Sequence, residues 1–526
     1  MAPDMEKIKE NEFILLKSKD DYSYSHYKMA PLSLKTGFFG TAGEGIEDSN
    51  GKITLFVDPR YHIQAEIQTK EKNVNVVKMD FKKPFLTYLK EFLPKNSTLY
   101  IPYKSTPFLF YKKLIEELNG VNIKTYDTPL DEASIDNKNE EVFEVKKNIA
   151  GKTQKEKIKK IKIENFLITD LVQIAYLLNL RSYKTNNIST FRAKLFIKNE
   201  SEVYLFTDYK TPIDFDFLIK KPIKEFENFI KNFDGEISID EASISLFDYL
   251  LIKNPVFIKN NPIVQMKSKK NKFELNHFKE SFKRLDLALY SFREKIKEGL
   301  SEFELNQIFE SELKKIGADG TSFKTILAIG ENSSIIHYTA NSKEKILKKG
   351  DVLLLDCGGY YEGGYATDIT RAFYCKGKTP DDKLKEIYTA VLKAQLNIYH
   401  STILNCFELH MLAVKYLKKY QKEGFLFPHG LGHGVGIEVH EAPPTLSVNS
   451  KYKLKNNNIF TIEPGLYKEN HFGIRLENTV YLEKNKKVSL SHFPYEEELI
   501  NYEMLNKKEL KWLINWQEAA KRMYEC

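Results

Sequence analysis

Asp356, Asp368, His433, Glu463 and Glu477 follow one another through the C-terminal half of this 526-residue chain, each inside a short segment of unusual local chemistry. Carboxylate and imidazole ligands without a thiolate suit hard or borderline divalent ions. Four carboxylates carry more negative charge than one such ion needs. Two adjacent ions balance it and can share an activated hydroxide, which is the chemistry of a two-metal hydrolase.

The apolar run Asp351-Val-Leu-Leu-Leu-Asp356 predicts a buried strand, and Thr367-Asp-Ile-Thr-Arg-Ala-Phe-Tyr374 predicts a second. Gly358, Gly359, Gly363 and Gly364 lie between them, so the two read as a hairpin. Asp356 closes the first strand and Asp368 opens the second, and antiparallel pairing brings their carboxylates together. Taken alone, Asp356 is better explained as a turn former beside glycines. The segments that follow change that reading. His429-Gly-Leu-Gly-His433-Gly-Val-Gly436 and Val439-His440-Glu441 place three of the chain's 11 histidines within 12 residues, among glycines that allow backbone to approach a ligand. Glu463 and Glu477 each interrupt a β-type apolar stretch, where a carboxylate is costly unless paired or metal-bound. Arg475, two residues before Glu477, would share its strand face and could pair with it. One such pair would be a plain sheet staple; four oddities in order favour a site.

Ile336-His337-Tyr338, Asp356-Cys-Gly-Gly, Thr367-Asp368-Ile-Thr-Arg371, His429-Gly-Leu-Gly-His433-Gly-Val-Gly, Val439-His440-Glu441, Glu463-Pro-Gly and Gly473-Ile-Arg-Leu-Glu477 together resemble the aminopeptidase P and prolidase branch of the pita-bread metallopeptidases, most closely the long three-domain Xaa-Pro aminopeptidases. The two aspartates are 12 apart, one more than is usual in that family, and the glycine-rich turn around Gly363 and Gly364 is where the extra residue is expected. The resemblance implies that Asp356 holds one metal, that His433 and Glu463 hold the other, and that Asp368 and Glu477 bridge both. It implies Glu463 as proton carrier and His337 and His440 as groups that contact substrate and stabilise the oxyanion. His429, Tyr467 and Arg475 are expected around the substrate, with Arg475 fixing Glu477 or another carboxylate. Two divalent ions, Mn²⁺ foremost given the oxygen-rich set, are the implied cofactors. The implied substrates are peptides with proline in second position.

These residues need a scaffold. Leu275, Phe278, Phe282, Leu285, Leu289, Phe292 and Ile296 step by three and four and predict a helix ended by Gly299. Ser301 and Glu304 read as a capping box opening a second, and Thr379-Pro380 opens a third through Ile398. Helices flanking antiparallel strands fit the α+β pita-bread catalytic domain that the resemblance implies, preceded by two α/β creatinase-like domains. Upstream, strand-like Ile53-Thr-Leu-Phe-Val-Asp58 and helical Phe85 to Leu93 alternate, and the alternation returns after a polar stretch, 131–144, and a charged helix, 152–163. Leu55-Phe-Val-Asp58 and Leu205-Phe-Thr-Asp208 look like corresponding strands of a duplicated unit. The expected boundaries are 1–145, 146–268, 269–490 and a C-terminal extension, 491–526.

The net charge of +8, from 80 basic and 72 acidic residues spread along the chain, is weak evidence for nucleic acid, and no nucleic-acid partner is expected. Lysines of 157–163 read as a solvated face. No run is apolar enough for a membrane span or signal core, and Cys357, Cys375, Cys406 and Cys526 lack paired spacing; a cytoplasmic protein is expected. Both tryptophans fall between Phe493 and Trp516, read either as the anchor of a homodimer or as a helix packed on its own domain. A prolidase would share every ligand but take dipeptides, usually with one N-terminal domain. A methionine aminopeptidase leaves little room for the roughly 270 upstream residues, and a binding module on this fold would have lost ligands. Arg60 is a candidate contact for distal substrate residues, set against a salt bridge within its own domain.

Overall fold

Alternating strands and helices in the first half build two six-stranded sheets on one plan. The computed structural model describes residues 8–20, 30–127, 141–212 and 215–525. Across the first sheet the strands run Val74–Lys78, Ile53–Val57, Glu44–Glu47, Glu12–Lys17, Thr98–Pro102 and Asn122–Tyr126. Across the second they run Leu218–Lys221, Glu202–Phe206, Lys194–Asn199, Phe166–Ile168, Ile237–Ile239 and Pro255–Phe257. In both, the pairings read parallel, antiparallel, antiparallel, parallel, parallel. Ile53–Val57 and Glu202–Phe206, which carry the matching Leu-Phe-Val-Asp and Leu-Phe-Thr-Asp segments, hold the same place in their sheets. The repeat also meets itself: Phe108 N donates to Ile244 O at 2.9 Å and Leu246 N donates to Thr106 O at 2.8 Å. Phe56, Phe108, Phe196 and Phe206 fuse the two halves into one apolar core. These sheets form one unit, Met1–Glu144, Gln154–Leu180 and Phe191–Pro262.

Two upstream expectations change. Instead of a charged helix over 152–163, only Gln154–Ile158 is helical, and Lys162 takes a positive φ of 51°. Lys157 is not solvated: its ammonium is buried, donating to Tyr176 O at 2.8 Å and Asn179 Oδ1 at 2.6 Å. Helical spacing placed it on a polar stripe, but its neighbours lie 19 and 22 residues away. Of the polar stretch, 131–140 lies outside the described residues.

The second unit is Val145–Thr153, Arg181–Thr190 and Ile263–Cys526. Its long helix Lys272–Arg293 starts at a capping box of Asn271 and Glu274. It stops well before Gly299, whose φ of 95° serves the following turn. Glu302–Lys315 has the expected Ser301 and Glu304 box. Asp382–Tyr399 is opened by the Asp381 side chain rather than by Pro380. Buried faces of Asp382–Tyr399 and Cys406–Leu417 share an apolar core with strands of a five-stranded antiparallel sheet, among them Ile459–Ile462 and Asn478–Glu483. A three-stranded sheet of Ile326–Ile329, Val352–Cys357 and Ile369–Tyr374 and the hairpin Gly465–Lys468 with Phe472–Arg475 complete the frame of the site.

The C-terminal helix Lys507–Glu525 packs on this unit. Trp516 is buried and donates to Phe493 O at 3.1 Å, and Trp512 stacks on His400 with centroids 4.1 Å apart. Among the described residues no helix is long and apolar enough to cross a membrane.

Candidate metal centre

The hairpin delivers the aspartates by register. Asp356 pairs with Thr370 and Cys357 with Ile369, so Asp356, Thr370 and Asp368 project from one face of the ladder. The same register continues to the bridge between Tyr360 and Ala366, which confines the additional residue to the turn 361–365, where Gly364 has a φ of 63°. Ile462 pairs with Asn478, and Glu463 and Glu477 are the next residues beyond that pair. His433 sits on the short strand Gly432–Gly434. Its flanking glycines serve the sheet rather than a ligand: a Cβ on Gly432 would lie 2.1 Å from Thr461 O, and one on Gly434 would lie 2.3 Å from Glu441 O.

Five strands and their ends thereby converge five side chains. The ligand atoms of Asp368, His433 and Glu477 all lie within 4.8 Å of one another. His433 Nε2 is 3.6 Å from Asp368 Oδ2 and 3.3 Å from Glu463 Oε1. Its Nδ1 lies 3.1 Å from Gly434 O, a contact that keeps the proton on Nδ1 and turns the Nε2 lone pair inward. A lone pair facing carboxylate oxygens requires a proton or a cation between them. Asp356 Oδ1 and Glu477 Oε1 are buried with no hydrogen-bond donor. The donor set and these two orphaned oxygens fit divalent cations.

Without cations the site must hold protons instead. Burial first, and then the neighbouring carboxylates, push Asp368 and Glu477 well above the usual carboxylate range. Burial also raises Asp356, against the pull of Arg475. At Glu463 burial is outweighed by the hydrogen bond and charge of His433, which hold it below the usual range. The same contact raises His433 against burial. Ion binding would displace these protons.

Around the candidate ligands, Arg475 fixes a carboxylate as expected, and of the two alternatives it takes the other carboxylate, Asp356. Its Nη2 donates to Asp356 Oδ2 at 2.7 Å, not to Glu477. The chain leaves the strand Phe472–Arg475 before Glu477 and enters the next at Asn478, so the alternation argument does not carry across. Glu477 is held by Thr370 Oγ1 at 2.7 Å, and Arg475 Nε donates to that same oxygen at 3.1 Å. Arg475 Nη1 also donates to Tyr467 OH at 2.8 Å, and Tyr467 OH lies 2.9 Å from His429 Nε2. Asp356, Arg475, Tyr467 and His429 thus form one hydrogen-bonded chain beside the ligands. The rings of His440 and His433 meet edge-on at 4.3 Å, and the carbonyl of Ile336, next to His337, faces Arg475 at 3.5 Å. Arg60 belongs to the other unit, where it grips Asp58 through two hydrogen bonds of 3.0 and 2.7 Å.

Four contributors went unassigned in the sequence. Thr461 links His433 N, at 3.0 Å, to Glu463 Oε1, at 3.1 Å. Thr370 had a signal, two residues from Asp368 on the same face. Buried Arg371 donates to Glu477 O at 2.6 Å and to Phe493 O at 2.8 Å, tying the ligand strand to the C-terminal segment. Glu441, beside His440, is buried against Lys267 at 3.4 Å and in contact with Lys270.

Residues 276–484 match the profile described as Metallopeptidase family M24, and residues 133–274 match the Creatinase/Prolidase N-terminal domain. A Laccaria bicolor protein named "Probable Xaa-Pro aminopeptidase P" is 28% identical over 537 residues, covering 91% of this chain and 82% of the relative. An Xaa-Pro dipeptidase of Pyrococcus horikoshii is 32% identical over 270 residues, covering 50% of this chain and 75% of the relative. The fold matches that of an X-prolyl aminopeptidase from Caenorhabditis elegans, a cytosolic enzyme with a di-nuclear active site, at TM-score 0.86 and 22% identity over 97% of this chain and 91% of that one.

Proposed function

The chain belongs to metallopeptidase family M24, and from that premise we propose that it is a metal-dependent aminopeptidase that releases the N-terminal residue from peptides whose second residue is proline. The observation that carries the reading is the cluster itself: four carboxylates and His433 Nε2 around two carboxylate oxygens that no protein donor satisfies. Two divalent ions, when bound, would acidify a shared water toward neutrality and polarise the scissile carbonyl. Mn²⁺ is the ion we propose, because oxygens dominate the set. Asp356, Asp368, His433, Glu463 and Glu477 would hold the pair.

The chain's own residues would do the rest. Glu463, ionised and anchored by Thr461, carries the proton from the nucleophile to the leaving amine. His337 and His440 contact the substrate and donate to the oxyanion. Arg475 keeps Asp356 oriented, and Tyr467 and His429 wall the substrate pocket. Proline has a fixed φ and no N–H, so peptidases that grip an extended backbone lose a contact there, and a dedicated pocket is needed.

Aminopeptidase rather than dipeptidase action is supported by coverage. The aminopeptidase P relative spans 91% of this chain, the dipeptidase only 50%. A cytosolic setting is supported by three buried, unbridged cysteines, Cys357, Cys375 and Cys406. We also propose a dimer through the C-terminal part, to be tested by light scattering; within the chain the Trp512 ring stacks on His400 and the Trp516 ring meets Tyr399 and Tyr495, which supports the alternative of a helix packed on its own domain. The deciding experiment compares kcat/KM for Arg-Pro, Arg-Pro-Pro and a longer Arg-Pro-Pro peptide. We expect the tripeptide and longer peptide to be cut faster, with arginine released; preference for the dipeptide would make this a prolidase.

A further inference from the structure

The motif Ile336-His337-Tyr338 has so far supplied one working group, His337, yet its neighbours are tethered in opposite directions. His337 is the third residue of a turn closed by Tyr338 N donating to Ile335 O at 3.1 Å. On one side, the Ile336 carbonyl faces Arg475 Nη2 at 3.5 Å, and that nitrogen also binds the ligand Asp356. On the other, Tyr338 OH donates to Glu302 Oε2 at 2.6 Å. Glu302 is fully buried at the first residue of Glu302–Lys315.

Glu302 is not spent on capping that helix, because Ser301 and Glu304 already form the box. It collects three more donors instead. Oε1 accepts from Ile329 N at 2.8 Å and Asn332 Nδ2 at 3.0 Å, and Oε2 accepts from Ser342 N at 3.1 Å. All four donors belong to the segment 329–342, on both flanks of His337. A buried carboxylate satisfied by four donors is a rigid anchor, since moving the segment would strand its oxygens. The remaining tether, through Arg475, ends on a metal ligand.

We propose that Glu302 and Tyr338 are positioning residues that hold His337 at the metal centre during peptide hydrolysis; this rests on the role given to His337 above. Geometry at the reacting atoms is costly to lose, so loosening the tether should lower turnover without changing metal content.

The test is a double-mutant cycle on the metal-loaded enzyme with Arg-Pro-Pro as substrate. Tyr338→Phe removes one donor at nearly constant volume, and Glu302→Gln replaces the acceptor. Tyr338→Phe should lower kcat roughly tenfold, with KM and metal content nearly unchanged. In a His337→Ala background the same change should cost less than about twofold, because there is no imidazole left to position. An equal loss in both backgrounds would make Tyr338 a general brace and overturn the proposal, as would an unaffected kcat for Tyr338→Phe. If His337→Ala itself retains full turnover, the role of His337 fails, which is a distinguishable result. Metal content and Tm of each variant separate a misplaced imidazole from a misfolded chain, so if Glu302→Gln unfolds, the near-isosteric Tyr338→Phe cycle alone decides.

Discussion

Buried charge is handled in opposite ways by the two units. In the N-terminal unit, the buried carboxylate of Asp248 contacts the Lys194 ammonium and accepts from Ser245 Oγ at 2.9 Å, so one anion meets one cation. In the catalytic unit, Asp356, Asp368, Glu463 and Glu477 face one guanidinium, Arg475, and two imidazoles, His433 and His429, the second 3.9 Å from Glu463 Oε2. The first arrangement is neutral, one charge against one, although Asp248 Oδ1 is itself buried without a donor. The second is short of positive charge, and it is short where Asp356 Oδ1 and Glu477 Oε1 lack donors. A protein that pairs its scaffold charges yet leaves this cluster unbalanced is built to receive cations there.

The largest effects should come from exchanging the two arrangements. His433→Ala or Glu477→Ala removes a ligand and should abolish activity and lower metal content together, read by assay and elemental analysis. Lys194→Met strands Asp248 in the core and should cost on the order of 3–5 kcal/mol of stability while leaving turnover per folded molecule unchanged. If Lys194→Met loses metal, or Glu477→Ala keeps it, the contrast between the units is wrong.

A smaller loss is expected next to the ligands. His337→Ala and His440→Ala should keep both ions and slow turnover by on the order of 10²-fold. Equal loss of metal in these variants and in His433→Ala would erase the division between ligand and substrate contact.

The cluster was legible because its members, read together, break local rules: carboxylates and histidines inside apolar or glycine-rich runs, which the fold brings together. So was the duplication, in two four-residue segments that turn out to occupy equivalent strands. What escaped was partner choice. Thr370 and Glu477 are 107 residues apart, Glu302 and Tyr338 are 36 apart, and nothing periodic links them. The alternation rule assigned Arg475 to Glu477 because it assumes an unbroken strand, and the strand breaks between them. Lys157 failed for the same reason in a helix: spacing reports a face, not what the fold lays over it.

The smallest effect is a titration away from the centre. Burial raises the Asp286 carboxyl from 3.8 to about 6, against the hydrogen bonds donated by His492 N and Ser491 Oγ. Its folded value exceeds its unfolded one, so its contribution is fully present below pH 4 and lost as pH rises through about 6. Asp286→Asn should therefore gain stability relative to the unchanged protein between pH 4 and 7, by about 3 kcal/mol at most. A Tm difference that does not vary with pH would contradict this.

The central claim is that the unbalanced carboxylate cluster holds catalytic divalent ions, and exhaustive chelation tests it most directly. Elemental analysis and Arg-Pro-Pro hydrolysis should be followed on the same sample before chelation, after it, and after Mn²⁺ is returned. The account predicts two ions per chain at the start, loss of activity and a lower Tm without them, and recovery of both with Mn²⁺. Full activity in a sample shown to be free of metal would contradict it.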